Sequence, residues 1–215
     1  GVLITLNEAL LVWYRIALTV VSLFALLVWK KQLQQVPFKK ALQLLFIGAL
    51  IAIHWVCFYG SIKYANVSIG LVCFASTGLF TALLEPLFTK KSFSWIEVGL
   101  GLLSLAGIYL IFHFDARYRL GIGIGIASAI FAALFSVLNK RNVATVAPKT
   151  MMLYELSGGL LILSLLMPWY LQQFPTKHLL PSLQEWGWLL VLSWFCTVWA
   201  MDLMLQALQK VSAFT

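Results

Sequence analysis

Seven acidic side chains stand in 215 residues, and three of them, Glu85, Glu155 and Asp202, fall in long apolar runs that also hold Arg15 and His54. A charge in such company is costly, so it either handles a solute or proton or is paired with another group. Asp202 is the sharpest case. A helix through it also presents Val198, Met201 and Leu205, and the carboxylate either lines a solute pocket or caps and pairs locally. His54, Phe58 and Ser61 follow i, i+4, i+7 spacing and share one face. There His54 is either a hydrogen-bonded core residue or a proton-handling group. Glu85 directly precedes Pro86, which frees a carbonyl and allows a bend. It is a candidate gate or proton carrier, although a solvated helix-end carboxylate near Lys90 and Lys91 is the plainer expectation. Arg15 could attract an anionic group or snorkel outward, and Glu155 could take up a proton if burial raises its pKa; ion pairing is the alternative for both. Tyr14, Tyr59, Tyr154, Trp55 and Trp199 offer an aromatic lining, or ordinary packing.

The elements that position these residues are seven apolar spans: Leu10–Trp29, Ala41–Ile62, Val67–Phe88, Ser94–Phe114, Leu120–Leu138, Thr150–Tyr170 and Trp186–Leu208. Crossing a hydrocarbon core of ~30 Å takes ~20 helical residues. Bare backbone polar groups are not tolerated in lipid, and no ~10-residue alternating segments are present, so the spans are expected to be helices rather than barrel strands. A composition 62% hydrophobic and only 10% charged excludes an ordinary soluble domain. The net charge of +8 is explained by the loops and not by nucleic acid. Lys30, Lys31, Lys39, Lys40, Lys90, Lys91, Lys140, Arg141, Lys149 and Lys210 fall in one alternating set, against Lys63, Arg117, Arg119 and Lys177 in the other. The positive-inside rule places the first set in the cytoplasm and the start of this chain outside. Cys57, Cys73 and Cys196 lack metal-ligand spacing and are expected to pack. Pro175 and Pro181 keep the sixth span from continuing. Small residues mark expected helix contacts: Gly121, Gly125, Ala129 and Ala133; Ala75, Gly78 and Ala82; and Gly99, Gly101, Ser104 and Gly107.

A faint internal repeat accompanies the spans. A shift of 144 pairs Trp55 with Trp199, Phe58 with Asp202, and the stretch Asn66–Val67–Ser68 with Lys210–Val211–Ser212; a shift of 140 pairs Tyr14 with Tyr154 and Arg15 with Glu155. The paired spans run in opposite directions, the inverted-topology pattern of many secondary transporters, whose binding faces meet near the midplane. The expected organisation is a first repeat at 1–114 (helices 2–5) and a second at 115–215 (helices 6–8 and the start of helix 9). The seven spans would then belong to a ten-helix protein.

The stretch Phe58–Gly101 resembles the EamA-type members of the drug/metabolite transporter superfamily: a Tyr-Ala-x-x-Ser turn at Tyr64–Ser68, a Pro-Leu-Phe run at Pro86–Phe88, a basic loop, and a Gly-rich helix continuing to Ala-Gly-Ile-Tyr-Leu at Ala106–Leu110. The run from Trp13 to Leu18 resembles the family's Arg-bearing second helix, and the run from Ala207 to Ala213 its turn into the ninth. Glu85 departs from the pattern, since the family commonly carries its acidic residue in the following loop. The resemblance implies an all-α polytopic membrane bundle of inverted repeats. It further implies a secondary transporter in a prokaryotic inner membrane, exporting a small organic metabolite or amino acid by alternating access, with protons as a candidate coupling ion.

Two other classes fit less well. A retinal-type seven-helix protein needs a lysine in the middle of its last helix, and Trp186–Leu208 has none. An intramembrane enzyme would want paired Asp, Gly-x-Ser-x-Gly or His-Glu-x-x-His motifs, which are absent. No Walker lysine sits in a Gly-rich loop, so ATP, a cofactor and a catalytic metal are not expected. The expected partners are a small-molecule solute and the lipid bilayer, not nucleic acid.

Overall fold

The computed structural model describes residues 4–112, 116–176, 178–211 and 213. Lys177, Ser212 and the expected end of the fourth span at Phe114 lie outside them. Every regular element among the described residues is helical, in the order α1 (Glu8–Trp29), α2 (Phe38–Tyr64), α3 (Val67–Ala75), α4 (Thr77–Phe88), α5 (Trp95–Phe112), a 3-10 turn (Ala116–Tyr118), α6 (Arg119–Asn142), α7 (Pro148–Gln173), α8 (Leu183–Ser193), a π-helical turn (Trp194–Trp199) and α9 (Ala200–Lys210). Of the seven expected spans, six are long and apolar enough to cross a membrane: Glu8–Trp29, Phe38–Tyr64, Val67–Phe88, Arg119–Asn142, Pro148–Gln173 and Leu183–Lys210. The other is the shorter apolar helix starting at Trp95. The chain is an integral membrane protein.

Local chemistry sets the ends. The Asn7 side chain accepts from the Ala9 N–H, and Asn66 from that of Ile69, each filling an orphan donor of a first turn. Ser182 and Glu185 form a capping box at α8, and Pro148 sits at the start of α7, where its missing N–H costs nothing. The third expected span is broken at Ser76, whose hydroxyl donates to Cys73 O at 2.6 Å while its N–H reaches the same carbonyl at 3.1 Å. The hydroxyl thus draws the turn tight, as serine does when it competes for backbone acceptors.

The helices fall into two compact units, Gly1–Ala52 with Asn142–Lys210, and Ile53–Arg141 with Val211–Thr215. In the first unit α1 packs against α7, α8 and the π-helical turn, and α7 against α9. Its polar pairs sort by end. At one end the Tyr170 hydroxyl donates to Glu8 Oε1 at 2.6 Å, Thr5 donates to Glu185, and the Asn7 amide donates to Phe174 O. At the other, Lys40 meets Asn142, Ala147 N–H donates to Gln34 Oε1, and Gln209 to Val143 O. The basic residues flanking α1, α2, α7 and α9 in this unit therefore gather at the second end.

Glycines allow the closest approach in this unit. A Cβ at Gly48 would lie 1.6 Å from Glu155 O, and one at Gly158 would lie 2.0 Å from Leu45 O. Helices α2 and α7 thus touch backbone to backbone, as membrane helices do where side chains are smallest.

In the second unit α5 lies on α4 and α3. The small face expected on α6 is used: a Cβ at Gly121 would meet Ala65, one at Gly125 would meet Cys73 and Ser61 at 2.7 Å, and Ala129 and Ala133 are fully buried. On α5 only part of the expected seam packs. Gly101 faces Leu79, while Gly99 and Gly107 face open space.

Glu85 is not the solvated helix-end carboxylate that the sequence suggested. It is 2% exposed, its Oε2 takes the Lys91 ammonium at 3.1 Å, and its Oε1 accepts the Ala213 N–H at 2.9 Å. Lys91 also holds Glu97 at 2.6 Å. One cation serves two carboxylates, and Lys90 has no part in the pairing that holds Glu85. Helix α4 continues through Pro86 to Phe88.

Two outcomes are expected on purified protein unfolded in detergent. Gly48→Ala should cost at least about 2 kcal/mol, because the methyl overlaps a carbonyl that cannot move without separating α2 from α7. Gly99→Ala, in open space, should be neutral or slightly stabilising; equal losses for the two would contradict the close contact. Lys91→Met should cost about 1–2 kcal/mol by leaving the Glu85 carboxylate buried without its cation. Burial pulls the Lys91 ammonium down, but the hydrogen bonds and charges of Glu97 and Glu85 outweigh this and hold it above the ordinary lysine value of 10.5. A raised folded-state value makes this stabilisation complete below pH 10.5 and lost as pH rises through the folded value. Native and variant stabilities should therefore differ at pH 7–9 and converge in strong alkali.

Candidate functional site

Arg15 does not snorkel. It is 5% exposed, its Nε donates to Thr197 Oγ1 at 2.7 Å, and its Nη2 donates to Cys196 O at 2.9 Å. Both acceptors belong to the π-helical turn, where Ala200 N–H reaches back five residues to Phe195 O. Such a turn displaces carbonyls from the ordinary ladder, and a buried guanidinium needs acceptors, so each satisfies the other. Thr197 passes its own proton to Leu192 O at 2.8 Å. Beside them Ser193 and Thr19 both donate to Arg15 O, at 3.0 and 2.8 Å. Glu155, also in the first unit, is fully buried on α7 at the Gly48 contact.

The π-helical turn also changes what α9 presents. Val198, expected on the Asp202 face, instead lines an apolar groove with Ser22, Leu23, Leu26, Trp29 and Trp194. Trp199 is 62% exposed. Asp202 is half-buried, and its Oδ2 accepts from Gln206 Nε2, one turn on, at 3.1 Å. It lines a cavity of about 600 Å³ walled by the C-terminal end of α1 (Leu27), the loop after it (Lys31, Gln32, Gln34), the first turn of α7 (Pro148, Lys149, Thr150) and α9 (Gln206, Gln209). Eight positions before Lys210, Asp202 lies ~12 Å along the helix from its lysine-bearing end. Local pairing and pocket lining are both present at this residue.

The aromatic candidates divide. Tyr14 donates to Leu179 O at 3.1 Å and stacks edge-on with Trp13 and Trp186, so it fastens the end of the first unit opposite the cavity. Tyr154 is half-buried on α7. In the second unit His54 is 5% exposed, and its Nδ1 lies 2.9 Å from both the carbonyl and the hydroxyl of Ser128 on α6. Its ring packs at 5.4 Å from Phe74 and 6.2 Å from Phe58, which in turn meets Tyr59. This is the hydrogen-bonded core histidine. Trp55 is 8% exposed, and Ser61 is fully buried against Gly125 with no partner for its hydroxyl. His54, Trp55, Phe58, Tyr59, Ser61 and Glu85 belong to the second unit, and Arg15, Glu155, Trp199 and Asp202 to the first.

Sequence reasoning passed over Thr150, Thr197, Ser193 and Lys31. Thr197 and Ser193 carried a signal: hydroxyls among Trp and Leu in a span are natural partners for a buried arginine. Lys31 had none, since its left-handed backbone, φ 53°, is unusual outside glycine.

Comparison with known proteins places this geometry. An uncharacterized transporter of Haemophilus influenzae is 29% identical over 150 residues, which cover 65% of this chain and 48% of that protein; the match thus spans about half the length of the relative. A protein of known crystal structure is similar in fold, with a TM-score of 0.70 at 16% identity, over 97% of this chain and 72% of that one. The EamA-like transporter family matches residues 3–113 and 119–215, nearly the whole sequence. The chain belongs to the EamA-like transporter family.

Proposed function

We propose that this chain works as a secondary transporter, exporting a small organic metabolite or amino acid across a prokaryotic inner membrane by alternating access. The observation that carries the reading is Asp202, a carboxylate in an apolar span that lines a polar cavity at the lysine-bearing end of the first unit. Charge at such depth is retained in membranes where it meets a solute or an ion. Glutamine amides, two ammonium groups and the carboxylate could replace the hydration shell of a small polar solute. The basic ends face the cytoplasm in this reading, so the cavity is the cytoplasmic entrance and the first residues lie outside.

The inverted repeat, 1–114 and 115–215, supplies the moving parts. Support comes from α1 and α7, the paired first and sixth spans, which run antiparallel: Glu8 at the start of α1 meets Tyr170 near the end of α7. Protons are the proposed coupling ion, with Asp202 the group exposed to solvent through the cavity. Arg15 anchors the π-helical turn that aims α9 and does not itself meet the solute.

The test is efflux from proteoliposomes loaded with pooled metabolites and amino acids, read by mass spectrometry. Native protein should release a few compounds selectively, and Asp202→Asn should slow that release at least ~10-fold, the value of one charged hydrogen bond. Selective release unchanged in the variant would remove Asp202 from the path. Absence of selective release from correctly inserted protein would contradict transport.

A further inference from the structure

The last span breaks its own helical count. Regular α spacing puts Val198 and Asp202 on one face, yet Val198 lines the apolar groove and Asp202 the polar cavity. The cause is the π-helical turn, where a reach of five residues in place of four adds one residue to the turn. Everything after it lags by one helical step, about 100° at 3.6 residues per turn. With the turn straightened, Met201, Leu205 and Leu208 would take the places of Asp202, Gln206 and Gln209 relative to α8. Asp202 would move to where Leu203 now stands, 50% exposed. The sequence of α9 matches the wider turn: Met201, Leu205 and Leu208 are buried, and Asp202, Gln206 and Gln209 line the cavity.

A π-helical turn is rare, so particular contacts must favour it. Thr197 is fully buried, and its hydroxyl bridges the turn. It donates to Leu192 O, five residues back, at 2.8 Å and accepts from Arg15 Nε at 2.7 Å. In an α-helix a threonine hydroxyl meets the carbonyl three or four residues back. The reach to the fifth therefore stabilises the wider turn and not the regular one. Arg15 Nη2 on Cys196 O ties the same turn to α1.

We propose that Thr197 is a positioning residue: its hydroxyl selects the π register of the last span and so keeps Asp202, Gln206 and Gln209 on the cavity. It acts through the phase of α9, from five residues before Asp202, and not by contact with a solute. Its part in transport rests on the reading above, but the register does not.

The test is thiol labelling with N-ethylmaleimide in detergent, on the full chain with Cys57, Cys73 and Cys196 replaced by alanine. The reacting species is the thiolate, which burial in apolar surroundings suppresses, so the rate reports which face of α9 meets the cavity. With Thr197 in place, Gln206→Cys should react and Leu205→Cys should not. Thr197→Val keeps the shape without the hydroxyl. It should lower the ratio of the two rates at least ~10-fold, the size of a lost hydrogen bond to a charged group, with position 205 gaining as 206 loses. Thr197→Ser should restore the native ratio. Ser157→Ala, which removes a hydroxyl bonded within α7, should leave it unchanged. Leu208→Cys and Gln209→Cys supply a second pair should Leu205→Cys not fold. An unchanged ratio in Thr197→Val would overturn the proposal. So would equal gains at both positions, which mark loosened packing, or a Thr197→Ser no better than Thr197→Val. In proteoliposomes Thr197→Val should slow selective efflux as Asp202→Asn does, and efflux unaffected where Asp202→Asn slows it would remove the positioning role. No efflux from native protein, with the exchange of reactivity present, would remove the transport reading and leave the register standing.

Discussion

The guanidinium of Arg15 and the π-helical turn of Trp194–Trp199 solve one problem between them. Hydrocarbon offers no water to a charge or to a displaced carbonyl, and each unsatisfied group there costs several kcal/mol. Arg15 Nη2 takes Cys196 O, its Nε takes Thr197 Oγ1, and Ser193 and Thr19 take the arginine's own carbonyl. Removing the arginine would strand acceptors, and removing the turn would strand a cation. The wider turn sets the rotational phase of α9, so Asp202 meets the cavity while Val198 lines a separate apolar groove. The placement of Asp202 thus depends on bonds made five and six residues earlier in the chain.

A second constraint acts from the other side of the same unit. Gly48 and Gly158 bring the backbones of α2 and α7 into direct contact, which fixes where α7 begins and hence where Lys149 and Thr150 stand. Small residues do this work because lipid gives helices little hydrophobic reason to associate, leaving dispersion and close fit. In the second unit the same logic appears on α6, where Gly121 and Gly125 admit Ala65 and Cys73, and a lysine bridging Glu85 and Glu97 ties α4 to α5. In the first unit hydrogen-bonded clasps such as Glu8 with Tyr170 sit at helix ends, and in the second the Lys91 ion pairs do.

Much of this was legible in the sequence because the bilayer restricts the choices. The spans from Leu10 to Leu208 followed from length and hydropathy, and the family from the Phe58–Gly101 block. The seam Gly121–Ala133 followed from four-residue spacing. What escaped was set by tertiary context. Nothing local distinguishes Gly48 and Gly158, which pack, from Gly99 and Gly107, which do not; the neighbour decides. The break at Ser76 and the π-helical turn depend on hydroxyls choosing particular carbonyls, a choice of fractions of a kcal/mol invisible in composition. Glu85 looked solvated because it follows helical spacing to a basic loop, but Lys91 folds back and Ala213 closes over it. For the candidate site, sequence named Asp202 but set Val198 on its face. Helical phase was counted across a turn that is not α-helical, and Thr150 lies fifty residues away in the chain.

If Asp202 lines the cavity at the lysine-bearing end, residue 206, one turn on, meets water from that side. The most direct measurement is labelling of Gln206→Cys, on a background with Cys57, Cys73 and Cys196 replaced by serine or alanine, using a membrane-impermeant maleimide on sealed vesicles of known orientation. Labelling from the lysine-bearing face and not from the other is expected. A cysteine at 206 that reacts from neither face, or only from the opposite one, would contradict it.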